Sequence, residues 1–153
     1  MDALHAQAET AFQAPPPKKP GLDELIAYLE AQYIPMVVAS SSRMASILRH
    51  LNNWNMTNHF KALISGEQFT SSKPDPEIFL TAAKALGTVP AETLVLEDSY
   101  NGVRAGARGG FVTVMVPDLA PADDEMRSLY TAECKDLREV KKMLEEGKLL
   151  SEA

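Results

Sequence analysis

Two short segments carry the residues best suited to chemistry. Ser72-Lys73-Pro74-Asp75-Pro76-Glu77-Ile78-Phe79 sets one lysine on a loop stiffened by two prolines. Leu96-Glu97-Asp98-Ser99-Tyr100-Asn101-Gly102 sets two adjacent carboxylates after an apolar run, ahead of further glycines at 106, 109 and 110. A fixed ammonium neutralises the charge of phosphate oxygens. Carboxylates are hard oxygen ligands of the kind Mg²⁺ takes one or two at a time, alongside water. A third cluster, Ser40-Ser41-Ser42, follows the apolar run Met36-Val37-Val38-Ala39. Hydroxyls there, with the free N–H groups of a helix start, suit an anion.

Each cluster has a plainer alternative. The serines could simply cap the next helix, since Ser is among the commonest capping residues. Lys73 could be an exposed turn residue, the usual place for lysine, although Pro74 and Pro76 confine its backbone. Asp98 or Ser99 could cap a helix starting at Asn101. Adjacent side chains on a strand point to opposite faces, so one acid of the pair, Asp98, is the expected direct metal ligand unless the chain turns there. A Gly-rich P-loop is excluded because no Gly-Lys-Ser/Thr follows the glycines. His5, His50 and His59 show no metal-ligand spacing and read as surface or helix-end residues, and Cys134 has no neighbouring base, so it reads as a packing residue.

The elements that must position these groups alternate along the chain. Residues 1–14 read as a weak Ala-rich helix and 15–20, Pro-Pro-Pro-Lys-Lys-Pro, as an extended linker. A helix is expected over 21–32, with Leu22, Leu25, Ile26 and Leu29 inward. A strand follows over 36–39, then a helix with Met44, Ile47, Leu48 and Leu51 inward. A second strand is expected over 62–65, a helix over 76–86 stopped by Gly87, and a third strand over 93–96. After them come a short helix over 101–108, a fourth strand over 111–116, a brief extended piece near 132–134 and a last helix over 136–146. Trp54 and Met56 are expected to cover an edge of the core. Strand and helix in alternation imply an α/β fold with a parallel sheet and right-handed crossovers. In such sheets sites form at the carboxyl ends of strands, where all three clusters fall.

Composition bounds the rest. A chain of 153 residues that is 45% hydrophobic can build one α/β domain with a core. The net charge of −6 argues against a nucleic-acid surface. The single cysteine excludes an intrachain disulfide and suits a reducing cytoplasm. Residues 1–14 lack the apolar core of a signal peptide, and no apolar run reaches membrane-spanning length.

The motifs Val38-Ala39-Ser40-Ser41-Ser42, Ser72-Lys73-Pro74-Asp75-Pro76-Glu77-Ile78-Phe79 and Leu96-Glu97-Asp98-Ser99 with Gly102-Val103 resemble, in order and spacing, the haloacid dehalogenase (HAD) superfamily. They are most similar to its β-phosphoglucomutase-like phosphatases, over about residues 20 to 144. The resemblance implies a three-layer Rossmann-like core at 21–153, with 1–20 a remnant of a cap and its linker. It implies phosphatase or phosphomutase chemistry on small phosphorylated metabolites, including sugar phosphates, with Mg²⁺ as cofactor. Ser40, with Ser41 and Ser42, would bind the phosphoryl group. Lys73 would stabilise developing charge, and Glu97 and Asp98 would hold the metal. In the family an Asp-x-Asp strand supplies a nucleophile that forms an aspartyl-phosphate, with a second Asp as general acid/base. This chain contains no Asp-x-Asp. The resemblance therefore implies a sheet incomplete at its central strand and a chain that alone does not perform the standard transfer. It equally allows a non-catalytic Mg²⁺- and phosphate-binding or interaction module. Open sheet edges invite pairing, so the expected partner is a second copy or a complementing N-terminal segment.

Overall fold

The computed structural model describes residues 19–117 and 121–149. The helix expected over 1–14 and most of the Pro-rich linker lie outside the described residues. The elements run α1 (Leu22–Ala31), β1 (Val37–Ser40), α2 (Met44–Asn53), β2 (Ala62–Ser65), α3 (Glu77–Leu86), β3 (Leu94–Glu97), α4 (Tyr100–Arg108), β4 (Val112–Met115), α5 (Asp124–Leu129), β5 (Ala132–Glu133) and α6 (Leu137–Glu145). Local signals set several ends. Gly21 precedes α1 at φ 86°, and Gly87 stops α3 at φ 75°, a left-handed backbone that glycine adopts without steric cost. Asp136 caps α6 by accepting from the N–H groups of Arg138 and Glu139.

Among the described residues every strand pairing is parallel, as the alternation requires. They form two part-sheets, β1-β2 and β3-β4-β5. Ser40 sits opposite Ser65 in the first and Glu97 opposite Met115 in the second. Helices cover both faces. On one, α1, α2 and α6 bury Leu25, Leu51 and Val140 with Val38, Leu96 and Val114. On the other, α3 and α4 bury Phe79 and Ala105 with Val37, Ala39, Ile64 and Val95. Neighbouring strand residues thus enter opposite layers, and both are apolar. Fully burying a side chain such as Leu25 or Phe79 stabilises the fold by about 1.5–3 kcal/mol. The expected α/β fold with parallel strands and helices on both faces is the fold found.

Three expectations are corrected. The serines after β1 do not cap α2: its N-cap is Arg43, without a side-chain cap bond. β1 continues through Ser40, and Ser40 and Ser42 are buried instead. Ser40 Oγ accepts from the Ser42 N–H at 3.1 Å, and Ser65 Oγ donates to the Ser42 carbonyl at 2.6 Å. The first N–H of α2, at Met44, donates to Glu67 Oε1 at 2.7 Å, a carboxylate brought from the turn after β2. Second, Leu48 is exposed while His50 is buried, because the inward stripe of α2 runs through Ile47, His50 and Leu51. His50 Nδ1 lies 2.7 Å from the Ser46 carbonyl and its ring rests against Trp54, yet Nε2 is buried with no hydrogen-bond partner among the described residues. Third, α5 has no counterpart among the expected elements, although Asp123 caps it by accepting from Met126 N–H at 2.8 Å.

Met56 is buried and Trp54 packs half-buried beside it, as expected of a core edge. Cys134 is fully buried, 3.4 Å from Met143 Sδ, and burial pushes its thiol up to about 11. Its reactive thiolate is therefore scarce at neutral pH. A thiol reagent at pH 8 should leave native protein unmodified and label it fully in urea; rapid native labelling would contradict this packing. Among the described residues, no helix is long and apolar enough to cross a membrane.

Candidate phosphate and metal site

The site is built around the end of β3. Glu97 is the last strand residue and its side chain is completely buried. Oε2 accepts from Lys73 Nζ at 3.2 Å. Oε1 accepts from the N–H groups of Asp98 and Ser99, both at 3.2 Å, and from Ser99 Oγ at 2.9 Å. Ser99 in turn caps α4, its Oγ accepting from Gly102 N–H at 3.0 Å. The chain turns immediately after β3, so Glu97 folds back beneath the first turn of α4. Gly102 makes that possible: a Cβ there would lie 1.8 Å from the Glu97 carboxyl carbon. Gly102 is thus explained by close approach of a side chain, rather than by an unusual backbone angle.

Lys73 reaches this carboxylate from the loop before α3. Its side chain is 5% exposed and its Nζ lies 5.1 Å from the centre of the Phe79 ring. The Lys73–Pro74 peptide bond is cis. Burial pulls the Lys73 ammonium below the ordinary lysine value, while the charges of Glu97 and Asp98 oppose that shift. The pair explains how a lysine can be buried at all, since an unpartnered ammonium there would be costly.

Asp98 stands next to the pair, with its side chain 11% exposed. Lys19 Nζ approaches its Oδ2 at 3.8 Å. Lys19 was not among the expected site residues. It lies in the Pro-rich linker, 79 positions before Asp98 in the sequence, and only the fold brings the two together. Ser40 and Ser42 are buried at the end of β1, while Ser41 is exposed. The Ser41 backbone packs on Gly66, where a Cβ would come within 2.9 Å of the Ser41 carbonyl oxygen. The structure therefore joins Lys73, Glu97, Asp98 and Lys19 in one cluster at the carboxyl end of β3. The serines form a second cluster at the carboxyl end of β1.

The acids divide the work. Both oxygens of Glu97 are engaged by Lys73 and the start of α4, whereas Asp98 lies at the accessible margin. Among the described residues no group of three or more His, Cys, Asp or Glu side chains could enclose an ion. Asp98, a carboxylate at that margin, is the kind of group Mg²⁺ takes beside water.

The family model described as haloacid dehalogenase-like hydrolase matches residues 3–116. The chain is 37% identical over 116 residues to the bifunctional riboflavin kinase/FMN phosphatase of Arabidopsis thaliana, covering 74% of this chain and 29% of that protein. It is 31% identical over 147 residues to hexitol phosphatase B of Escherichia coli, covering 90% of this chain and 65% of the relative. The β-phosphoglucomutase of Bacillus subtilis is 38% identical over 98 residues, covering 63% of this chain and 42% of that enzyme. In fold, the crystal structure of β-phosphoglucomutase from Clostridium difficile superposes with a TM-score of 0.74 at 22% identity, over 86% of this chain and 56% of that one. The chain thus spans between 29% and 65% of the length of these curated relatives. Motifs, fold and family match agree, and the chain belongs to the haloacid dehalogenase-like hydrolases, beside their β-phosphoglucomutase-like members.

Proposed function

We propose that this chain is the phosphate- and Mg²⁺-handling part of a phosphatase or phosphomutase core acting on small phosphorylated metabolites, sugar phosphates among them. The observation that carries the reading is the buried Lys73–Glu97 pair with Asp98 beside it at the carboxyl end of β3. Glu97 orients Lys73 and keeps it charged. Lys73, its side chain 5% exposed, then offers a fixed positive charge to phosphate oxygens. The Ser40 hydroxyl, with the backbone after it, accommodates the phosphoryl oxygens. Asp98 is the direct metal ligand. Bound Mg²⁺ supplies further neutralisation of phosphate charge, and phosphatases of this family generally use it. The attacking carboxylate is not among these residues, because the chain contains no Asp-x-Asp. A cytoplasmic setting belongs to the same proposal, supported by the single buried cysteine.

Titration calorimetry with inorganic phosphate tests this reading. Phosphate should bind only when Mg²⁺ is present. Asp98→Asn should weaken that binding about tenfold, or about 1.4 kcal/mol, without shifting the melting temperature. Binding of equal strength with and without Mg²⁺, or an Asp98→Asn titration matching wild type, would remove Asp98 from the metal.

A further inference from the structure

Lys19 joins the site from the linker, and the backbone beneath it is anchored. The Lys19 carbonyl accepts from Leu22 N–H at 3.1 Å, and the Pro20 carbonyl accepts from Leu137 N–H at 3.3 Å. Gly21, at φ 86°, packs so closely on α6 that a Cβ there would lie 2.6 Å from the Arg138 nitrogen. Leu22 then enters the core. Residues 19–22 are thus seated against the start of α6, and the Lys19 side chain reaches Asp98 from a fixed base. Its Nζ lies 3.8 Å from Asp98 Oδ2, with the lysine side chain 23% exposed. A pair held from an anchored backbone gives up less freedom than one between two mobile surface chains.

The charges in the cluster divide into two pairs. Glu97 has its counter-charge in Lys73, which donates to Oε2, while Oε1 is taken by Ser99 and by the N–H groups of Asp98 and Ser99. Asp98 acts on Lys73 less than Glu97 does, and Lys19 stands at its own carboxylate. Within these four side chains, two ammoniums face two carboxylates. Mg²⁺ held by Asp98 adds two positive charges beside the Lys19 ammonium, and like charges so close repel. A phosphate dianion brings the two negative charges that cancel the excess. We infer that Lys19 is a placeholder cation at Asp98, which opposes Mg²⁺ arriving alone and makes retention of the ion depend on phosphate. The inference rests on the assignment of Asp98 as the metal ligand.

Calorimetric titration of Mg²⁺ into the full chain, with and without inorganic phosphate, tests this. The proteins are wild type, Lys19→Gln, Lys19→Arg and Asp98→Asn. Neither change at Lys19 touches the backbone bonds that seat residues 19–22. Without phosphate, Lys19→Gln should bind Mg²⁺ about threefold more tightly or better, the scale of a partly exposed pair. The gain in Mg²⁺ affinity that phosphate brings should shrink by about the same factor, and by linkage Mg²⁺ should add that much less to phosphate affinity. Lys19→Arg keeps the charge and should match wild type. Unchanged or weaker Mg²⁺ binding by Lys19→Gln, or equal tightening by Lys19→Arg, would overturn the inference. If Asp98→Asn loses Mg²⁺ while Lys19→Gln matches wild type, the inference falls and the assignment of Asp98 stands. If Asp98→Asn binds Mg²⁺ like wild type, or none of the proteins binds it, both fall together.

Discussion

Replacing Lys73 with methionine should destabilise the fold by about 3–5 kcal/mol, the usual result of stripping one partner from a buried ion pair. Glu97 has no exposed side-chain surface, and its remaining partners are Ser99 and the backbone at the start of α4. Without the ammonium, a carboxylate is left in an apolar interior with hydroxyl and amide donors only. The companion variant separates this account from simple loss of packing. Lys73→Met combined with Glu97→Gln removes both charges and should recover most of the loss. Urea denaturation of the two variants reads the difference directly. A single variant within about 0.5 kcal/mol of wild type, the range of ordinary surface changes, would mean that the pair does not hold Glu97 in place. The same pair has a pH signature. Burial lowers the folded-state value of Lys73 below its ordinary 10.5. Between those two values the unfolded chain binds more protons than the native one, so stability rises with pH there. Below the folded value the cost of the buried ammonium is fully present. The difference in stability between wild type and the double variant should therefore shift in favour of wild type as pH climbs toward 10.5. A flat difference curve would contradict the direction of the shift.

The second large effect belongs to Gly102. In an exposed helix, Gly→Ala is stabilising by about 1 kcal/mol. Here the added methyl would sit 1.8 Å from the Glu97 carboxyl carbon and 2.1 Å from its Cγ. Glu97 cannot swing away without breaking its bonds to Lys73 and Ser99. Overpacking of this kind costs typically about 1–3 kcal/mol and at times more, so the steric term wins. Gly102→Ala should lose about 2 kcal/mol by urea denaturation, and phosphate binding should weaken with it because Lys73 is displaced. A gain in stability would show that helix propensity decides the outcome and that Glu97 is not folded beneath α4.

Much of this arrangement is legible in the sequence because it depends on local pattern. The apolar runs of β1, β3 and β4, the inward stripes of α1, α3 and α6, and Gly87 as a stop come within a residue or two of the structure. Lys73, Glu97 and Asp98 are recognisable because the strand–turn–helix context tells which end of β3 they occupy. What the sequence does not show depends on contacts far apart in the chain. Glu67 substitutes for the serines as the group that meets Met44 N–H, 23 residues away. Lys19 meets Asp98 only in the folded chain, from 79 positions away. His50 looks like a polar helix-end residue, yet its position on the helix takes it into the core. α5 is short, and its periodicity is too brief to stand out beside its Asp123 cap. The sequence does not show the tight turn after β3 that sends Glu97 inward to Lys73 and leaves Asp98 at the margin.

The most direct test of the phosphotransferase reading is turnover. The portion of Escherichia coli hexitol phosphatase B that this chain does not match can be joined to it, and release of phosphate from a small sugar phosphate followed with and without Mg²⁺. The account predicts Mg²⁺-dependent release by the joined protein, lost when Asp98 becomes Asn. A joined protein that folds, binds phosphate and releases none would contradict it, and would leave this chain a phosphate-binding module without the family's chemistry.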